Sequence, residues 1–383
     1  MRRRTFLLWP LAALLAHRAQ AHVPDFPAVE SGHPLVFPRD YGAHSRYRTE
    51  WWYLTGWLQS DADTSLGFEA TFFRSRPALD DANPSRFAPK QLLFANVALS
   101  DPRTGGLQHD QRAARQGFGL AEASEADTAV HIGDWSLERE ADGLYRLNVD
   151  TSGFAFAFTL QPTQPVILNG ADGYSRKGPL PSEASYYYSQ PWLKVAGILK
   201  RSGKGTPVSG HAWLDHEWSS AALANEAVGW DWIGIDLDGG GALMAYRIRD
   251  KAGRKFWAGG TLRAADGSTR ALPPDSVGFT PLRWWRSPHT GARYPVAMRV
   301  DALDLHLVLV PLMDDREFDS RASTGAVYWE GAVTAFRASA GTVSPADANS
   351  STAASGAARA VSATRPLGRG YLELTGYFQR LDL

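Results

Sequence analysis

Large apolar and polar residues alternate with a period of two through most of this chain. From Tyr47 to Leu58 one set of alternate positions carries Tyr47, Thr49, Trp51, Tyr53, Thr55 and Trp57. The other set carries Arg48, Glu50, Trp52, Leu54, Gly56 and Leu58. Bulk on both sets over so long a run predicts a strand covered on both faces. A turn over Ser60–Ser65 leads into a second strand, Gly67–Arg74, and the two form a hairpin. The unit recurs as a strand over Trp230–Leu237, a turn at Asp238-Gly239-Gly240 and a return over Gly241–Arg249. Setting Gly56 on Gly234 places Trp52 on Trp230 and brings Phe72 near Tyr246. A second echo pairs Val195–Leu199 and Val208–Trp218 with Glu330–Val333 and Gly370–Phe378. The pattern predicts a duplicated β-unit.

Between the two units, the Ala-rich stretch Ser219–Ala227 follows a capping serine and predicts a short helical connector. The boundary falls near residue 222, giving domains over 30–221 and 222–383. Residues 339–365 are rich in Ala, Ser, Thr and Gly without apolar periodicity, and predict a flexible loop before the last strand. No stretch carries the period of a major helix, so the class is all-β, built as barrels or sandwiches.

The N-terminus changes the picture of where such a protein works. Arg2, Arg3 and Arg4 precede an apolar run over Phe6–Leu15, and Ala19-Gln20-Ala21 offers a small-x-small cleavage site, so 1–21 predicts an export signal. Arg3-Arg4-Thr5-Phe6-Leu7 has the form of a twin-arginine signal, which exports folded protein. The expected location is periplasmic or secreted. The apolar run is too short to span a bilayer, which takes about 20 residues, so no stable membrane span is expected. Cleavage removes 21 of 383 residues, four arginines among them and no acid, and moves the formal charge from +0 to about −4. Nothing in that balance points to a nucleic-acid partner, and none is expected. Zero cysteines exclude disulfides, thiol catalysis and thiolate metal sites.

Several motifs carry a family resemblance. They are Asp40-Tyr41-Gly42-Ala43-His44, Arg48-Thr49-Glu50-Trp51-Trp52-Tyr53, Gly210-His211-Ala212-Trp213-Leu214-Asp215-His216-Glu217-Trp218-Ser219-Ser220 and Gly229-Trp230-Asp231-Trp232-Ile233-Gly234. Together they resemble the secreted lipocalin-like family that groups carotenoid 1,2-hydratase with the AttH-type proteins called predicted secreted hydrolases. The resemblance spans residues 35 to 383. It implies two lipocalin-like, or calycin-like, antiparallel β-barrels in tandem, with a ligand pocket at or between them. The family also holds members without an established activity.

The residues that carry chemistry concentrate on the 211–218 strand. Alternation puts His211, Trp213, Asp215 and Glu217 on one face. Carboxylates two residues apart on a strand stand roughly 6–7 Å apart. On an aromatic-lined face, desolvation and repulsion raise one pKa, and a carboxylic acid kept neutral is the proton donor that alkene hydration needs. Trp faces stabilise the carbocation that follows. The roles expected are Asp215 as acid, His211 or Glu217 as its partner, and Trp213 and Trp230 as walls, with Asp236 and Asp231 as competing acids. Trp52, Tyr53 and Trp232 complete the aromatic lining. Glu50 is either a polar anchor for the ligand or one end of a strand-face ion pair closing the barrel, the second reading being favoured. The alternative for the whole 211–217 face is pairing with Arg48, Arg247 or backbone at a barrel rim.

Other mechanisms fail on inspection. His216-Glu217 opens a zinc-protease motif but finds Ser220 where the second His belongs. No Gly-x-Ser-x-Gly elbow occurs, because Arg321 precedes Ala322-Ser323-Thr324-Gly325. No metal and no cofactor is expected. Two functions remain. One is a cofactor-free hydratase (a hydro-lyase like carotenoid 1,2-hydratase) acting on an apolar unsaturated substrate. The other is a non-catalytic periplasmic carrier of a lipid or other hydrophobic small molecule, or an accessory to an ABC-type transporter.

Overall fold

A computed structural model describes residues 25–60, 64–79, 83–85, 87–338 and 365–381. The export signal over 1–21 lies outside the described residues, as does the loop over 339–365 apart from Arg365. The described chain is almost entirely strand, arranged as two large curled antiparallel sheets, one nearly closed as a barrel and the other a half-barrel. Both predicted hairpins form: Thr49–Ser60 pairs with Ser65–Ser75, and Ala227–Leu237 with Gly241–Asp250.

The first sheet runs from Gln108–Arg115 through Leu92–Ser100, Ser65–Ser75, Thr49–Ser60, Lys204–Ser219 and Ala184–Arg201 to Phe154–Pro162, and on to shorter strands. The second runs from Thr269–Leu272 through Lys255–Arg263, Gly241–Asp250, Ala227–Leu237, Gly368–Leu374 and Ala326–Arg337 to Leu305–Pro311, Arg293–Ala302 and Val277–Arg286. The closing strand pairs predicted for each unit are Ala184–Arg201 with Lys204–Ser219 and Ala326–Arg337 with Gly368–Leu374.

Each sheet wraps its own apolar core. Trp52, Leu54, Phe68 and Phe72 lie in the first, and Ile233, Ile235, Leu243 and Leu372 in the second. A third core joins the sheets to each other, with Tyr53, Trp57, Tyr187 and Trp213 meeting Trp232, Met244, Tyr246 and Tyr371. The 47–58 strand is therefore bulky on both faces because one face fills a barrel and the other meets the second sheet. Gly234 belongs to the meeting face. A Cβ there would stand 3.0 Å from the Trp213 indole, so glycine lets the sheets approach.

Two expectations are corrected here. Matching Gly56 to Gly234 puts Trp52 on Trp230 and Phe72 near Tyr246, yet Trp52 and Phe72 fill the first barrel while Trp230 and Tyr246 face between the sheets. The strand register is off by three residues, and with a side-chain period of two any odd slip exchanges the faces. The register that keeps them sets the buried pair Glu50–Arg74 on Asp231–Arg247, each directly opposed across its hairpin. The second correction concerns Ser219–Ala227, which forms no helix: Ser219 ends one strand, Ala227 begins the next, and the residues between are irregular. A stretch this short cannot offset the cost of helix nucleation. Ser219 Oγ instead accepts the Ala221 N–H at 2.9 Å and donates to the Ala184 carbonyl at 2.7 Å.

Candidate functional site

Pairing register decides which side chains share the face between the sheets. In the first sheet Glu217 stands opposite Trp51 and Tyr187, and Asp215 opposite Tyr53 and Ser189. In the second, Glu373 stands opposite Trp232 on one side and Glu330 on the other. The facing rows enclose a cavity of about 350 Å³, at the lower end of the range for small-molecule sites. Trp51, Tyr53, Phe73, Tyr187, Trp230, Trp232, Tyr246 and Tyr328 supply its aromatic walls, and Asp215, Glu217, Glu330, Glu373 and Lys177 are among its charged groups. Ala221 to Ala224, from the irregular link, border it as well.

The carboxyl groups are held differently. Asp215 Oδ1 accepts from Ser189 Oγ at 2.5 Å and Trp213 Nε1 at 2.6 Å, and Oδ2 from Tyr187 Oη at 2.5 Å. Burial pushes its pKa up to about 7 even though all three donors favour the charged form. Glu373 is pushed up to about 7 as well, first by burial and then by the charges of Asp215 and Glu217. Its one opposing hydrogen bond comes from Trp230 Nε1 at 3.0 Å. Glu217 pairs with Lys177 Nζ at 2.9 Å and accepts from Ser185 Oγ. Burial works against the Lys177 ammonium, but the Glu217 charge and hydrogen bond, with Tyr246 and Asp215, together outweigh it and raise the pKa. Lys177 Nζ also lies 4.7 Å from the Tyr187 ring centre and 4.3 Å from that of Tyr246. Trp232 Nε1 donates to Tyr187 Oη at 3.0 Å, and Tyr53 Oη to Glu330 Oε2 at 2.9 Å, so hydrogen bonds cross between the sheets on both sides of the cavity.

With this geometry in place, comparison with known proteins places the chain. A sequence profile of the AttH-like family matches residues 28–377. The chain belongs to the AttH-like family. The crystal structure of an AttH protein from Nitrosomonas europaea is similar at 48% identity and a TM-score of 0.81, covering 92% of this chain and 100% of that one. Kievitone hydratase from Nectria haematococca shares the fold at 14% identity and a TM-score of 0.66, covering 94% of this chain and 98% of that one. No curated protein matches the sequence.

In this AttH-like chain the structure gathers Tyr53, Trp213, Asp215, Glu217, Trp230 and Trp232 around the space between the sheets. It does not bring His211 or Asp236 there. His211 lies exposed, its ring edge-on to Trp192 at 5.2 Å, and Asp236 accepts the Trp192 backbone N–H at 3.1 Å. Asp231, the other competing acid, is buried in the second sheet's core between Arg247 and Arg249, with Tyr377 Oη donating to it at 2.8 Å. Trp52 stacks on His216 inside the first barrel.

Glu50 borders the cavity, but its carboxylate is committed to the barrel end. It accepts from Arg74 Nε at 2.7 Å and from the His44 backbone N–H, and both the His44 and His216 rings hydrogen-bond to it. Burial alone would raise its pKa, and these neighbours carry it well below the carboxylate range. His44, Glu50 and His216 are close enough for a metal ion, but the arrangement does not fit one. Glu50 already holds the Arg74 cation, and the remaining ring nitrogens of His44 and His216 are taken by Asp40 and the Tyr188 hydroxyl. The ion pair expected of Glu50 is made with Arg74, directly opposite it across the hairpin.

Sequence reasoning missed Glu373, Glu330, Tyr187 and Lys177. The first two carried a usable signal, since each is a lone carboxylate in an otherwise apolar strand, Tyr371-Leu372-Glu373-Leu374 and Val327-Tyr328-Trp329-Glu330-Gly331-Ala332. Lys177 carried none, because it follows the last residue of a three-residue strand and reaches the site through its tertiary position alone.

Proposed function

We propose that this AttH-like protein binds an apolar, unsaturated molecule between its two sheets and adds water across one of its double bonds. The observation that carries the reading is a pair of carboxyl groups with pKa near 7, Asp215 and Glu373, in one aromatic cavity. The Asp215 charge acts on Glu373, so ionising one disfavours ionising the other. The three donors on Asp215 place the charge there, and Glu373, with Trp230 alone, keeps the proton. The acid role read from sequence for Asp215 therefore passes to Glu373, and Asp215 becomes the base.

The step balances as follows. The Glu373 proton and the π electrons form a new C–H bond and leave a carbocation on the neighbouring carbon. Aromatic faces such as Trp51 and Trp232 stabilise that cation by about 2 kcal/mol each in a desolvated site. A water oxygen then forms the C–O bond and gives a proton to Asp215. Exchange with solvent returns the proton to Glu373, so one water is consumed. Kievitone hydratase, by its name a hydratase, uses the same fold, which supports the reading without fixing the substrate. Export after cleavage near Ala21 by the twin-arginine route belongs to the same proposal.

The test begins with native mass spectrometry of the protein from its own envelope, to find the molecule that travels with it. That molecule, together with kievitone and a linear polyene as probes, is then incubated in oxygen-18 water. One labelled oxygen in the product is expected. Glu373→Gln and Asp215→Asn should each retain binding and lose about 100- to 10,000-fold in rate. The wild-type rate should be bell-shaped in pH, with its maximum near 7. Tight binding with no label incorporated would overturn hydration and leave a carrier.

A further inference from the structure

Beside the cavity, the two sheets enclose a second set of polar atoms that the protein does not satisfy. Thr55 Oγ1, Glu69 Oε2, Ser100 Oγ, Glu330 Oε1, Tyr371 Oη and both Nη atoms of Arg316 are buried without a hydrogen-bond partner. Glu69, Arg316 and Glu330 are 0% exposed. The register gathers these residues: Thr55 stands opposite Glu69, and Gly67, two residues before Glu69, opposite Ser100. Tyr371 Oη and Ser100 Oγ would lie 2.7 and 3.1 Å from a Cβ on Gly67, so they meet at that glycine. Arg316 spends Nε–H on the Glu330 carbonyl at 2.9 Å and its charge acts on both Glu69 and Tyr371; the Tyr371 hydroxyl lies close enough to Ser100 and Arg316 to interact with both, but none of these contacts has hydrogen-bond geometry.

Buried polar atoms are almost always satisfied, so seven without a protein partner call for another one. The set mixes donors and acceptors. A metal cation is disfavoured by Arg316 and an anion by the Glu330 carboxylate, while burial pushes Glu69 up to about 8 and leaves it neutral at pH 7. Water, which is neutral and both donates and accepts, matches the whole set. One residue joins these atoms to the cavity. Glu330 Oε2 accepts from Tyr53 Oη at 2.9 Å, and Tyr53 lines the cavity, while Oε1 of the same carboxylate is one of the orphans.

We infer that Thr55, Glu69, Ser100, Arg316, Glu330 and Tyr371 form a chamber for ordered water, and that Tyr53 and Glu330 are the gate through which it reaches the cavity. The chamber stands on the unsatisfied atoms alone. Its use as the source of hydrating water rests on the function proposed above. Tyr53 and Glu330 are positioning residues in this scheme, touching the water path and not the double bond.

The test uses the full-length protein and reads water directly. A high-resolution crystal structure should show ordered waters within hydrogen-bond distance of both Arg316 Nη atoms. Oxygen-17 relaxation dispersion should count long-lived waters, fewer in the shape-conserving double variant Tyr371→Phe, Ser100→Ala. Tyr53→Phe should keep these waters and shorten their residence time several-fold; in the oxygen-18 assay it should lower kcat with KM unchanged. Arg316 in direct contact with the Glu69 and Glu330 carboxylates, with no water between, would overturn the chamber and leave the Glu373–Asp215 chemistry untouched. An unchanged residence time in Tyr53→Phe would overturn the gate. Waters in place without label in any product would support the chamber and count against hydration.

Discussion

Replacing Glu373 by glutamine separates the proton-bearing carboxyl from everything else at the site. Glutamine keeps the shape and an oxygen to accept the Trp230 Nε1 hydrogen bond, which spans 3.0 Å in the wild type, but it cannot titrate. Burial first, then the Asp215 and Glu217 charges, carry the Glu373 pKa from 4.5 to about 7 in the folded protein. Between those values the folded state holds a proton that the unfolded chain has released. The associated stability is complete below pH 4.5, falls as pH rises and is gone above about 7. The interval from 4.5 to about 7 corresponds to a loss of about 3 kcal/mol. Urea unfolding of wild type and Glu373→Gln, followed by tryptophan fluorescence at pH 5 and pH 8, reads the difference. The variant should gain about 3 kcal/mol on the wild type across that range, with most of the gain between pH 5 and 7. Two stability profiles that stay parallel in pH would show Glu373 ionised in the fold, and the assignment of the acid would be wrong.

Two more outcomes follow from the barrel end. Glu50→Gln should cost about 3–5 kcal/mol in urea unfolding, because it strips the charge that Arg74 is buried against, and a cost under about 1 kcal/mol would show that the pair does not hold the barrel shut. Zinc added to the purified protein should leave Tm unchanged, since every ring nitrogen of His44 and His216 already has a protein partner, and a rise in Tm proportional to the logarithm of zinc concentration would contradict this.

Much of the architecture was legible because strands announce themselves locally. Tyr47 to Leu58 alternates, and each half closes with a Gly-containing strand pair. The Arg48–Trp52 and Gly210–Ser220 motifs carried the family. The 211–217 face pointed at Asp215 and Glu217 by parity alone, and both reached the cavity. His211 sits on the same face and did not, because four residues of strand carry it about 13 Å along, to where the exposed half of the strand begins. The short Ala-rich link misled, since helix propensity over so few residues is weaker than the serine turn that occupies it.

The sequence by itself determined that the chain is made of strands and which side chains of one strand share a face, because these follow from the geometry of a single backbone. Only the tertiary structure decided which of the two faces looks inward and which looks across to the other sheet, and so which acid meets which. Glu373 and Asp215 lie 158 positions apart, and their pKa values near 7 exist because folding removes water from both and places their charges within reach of each other.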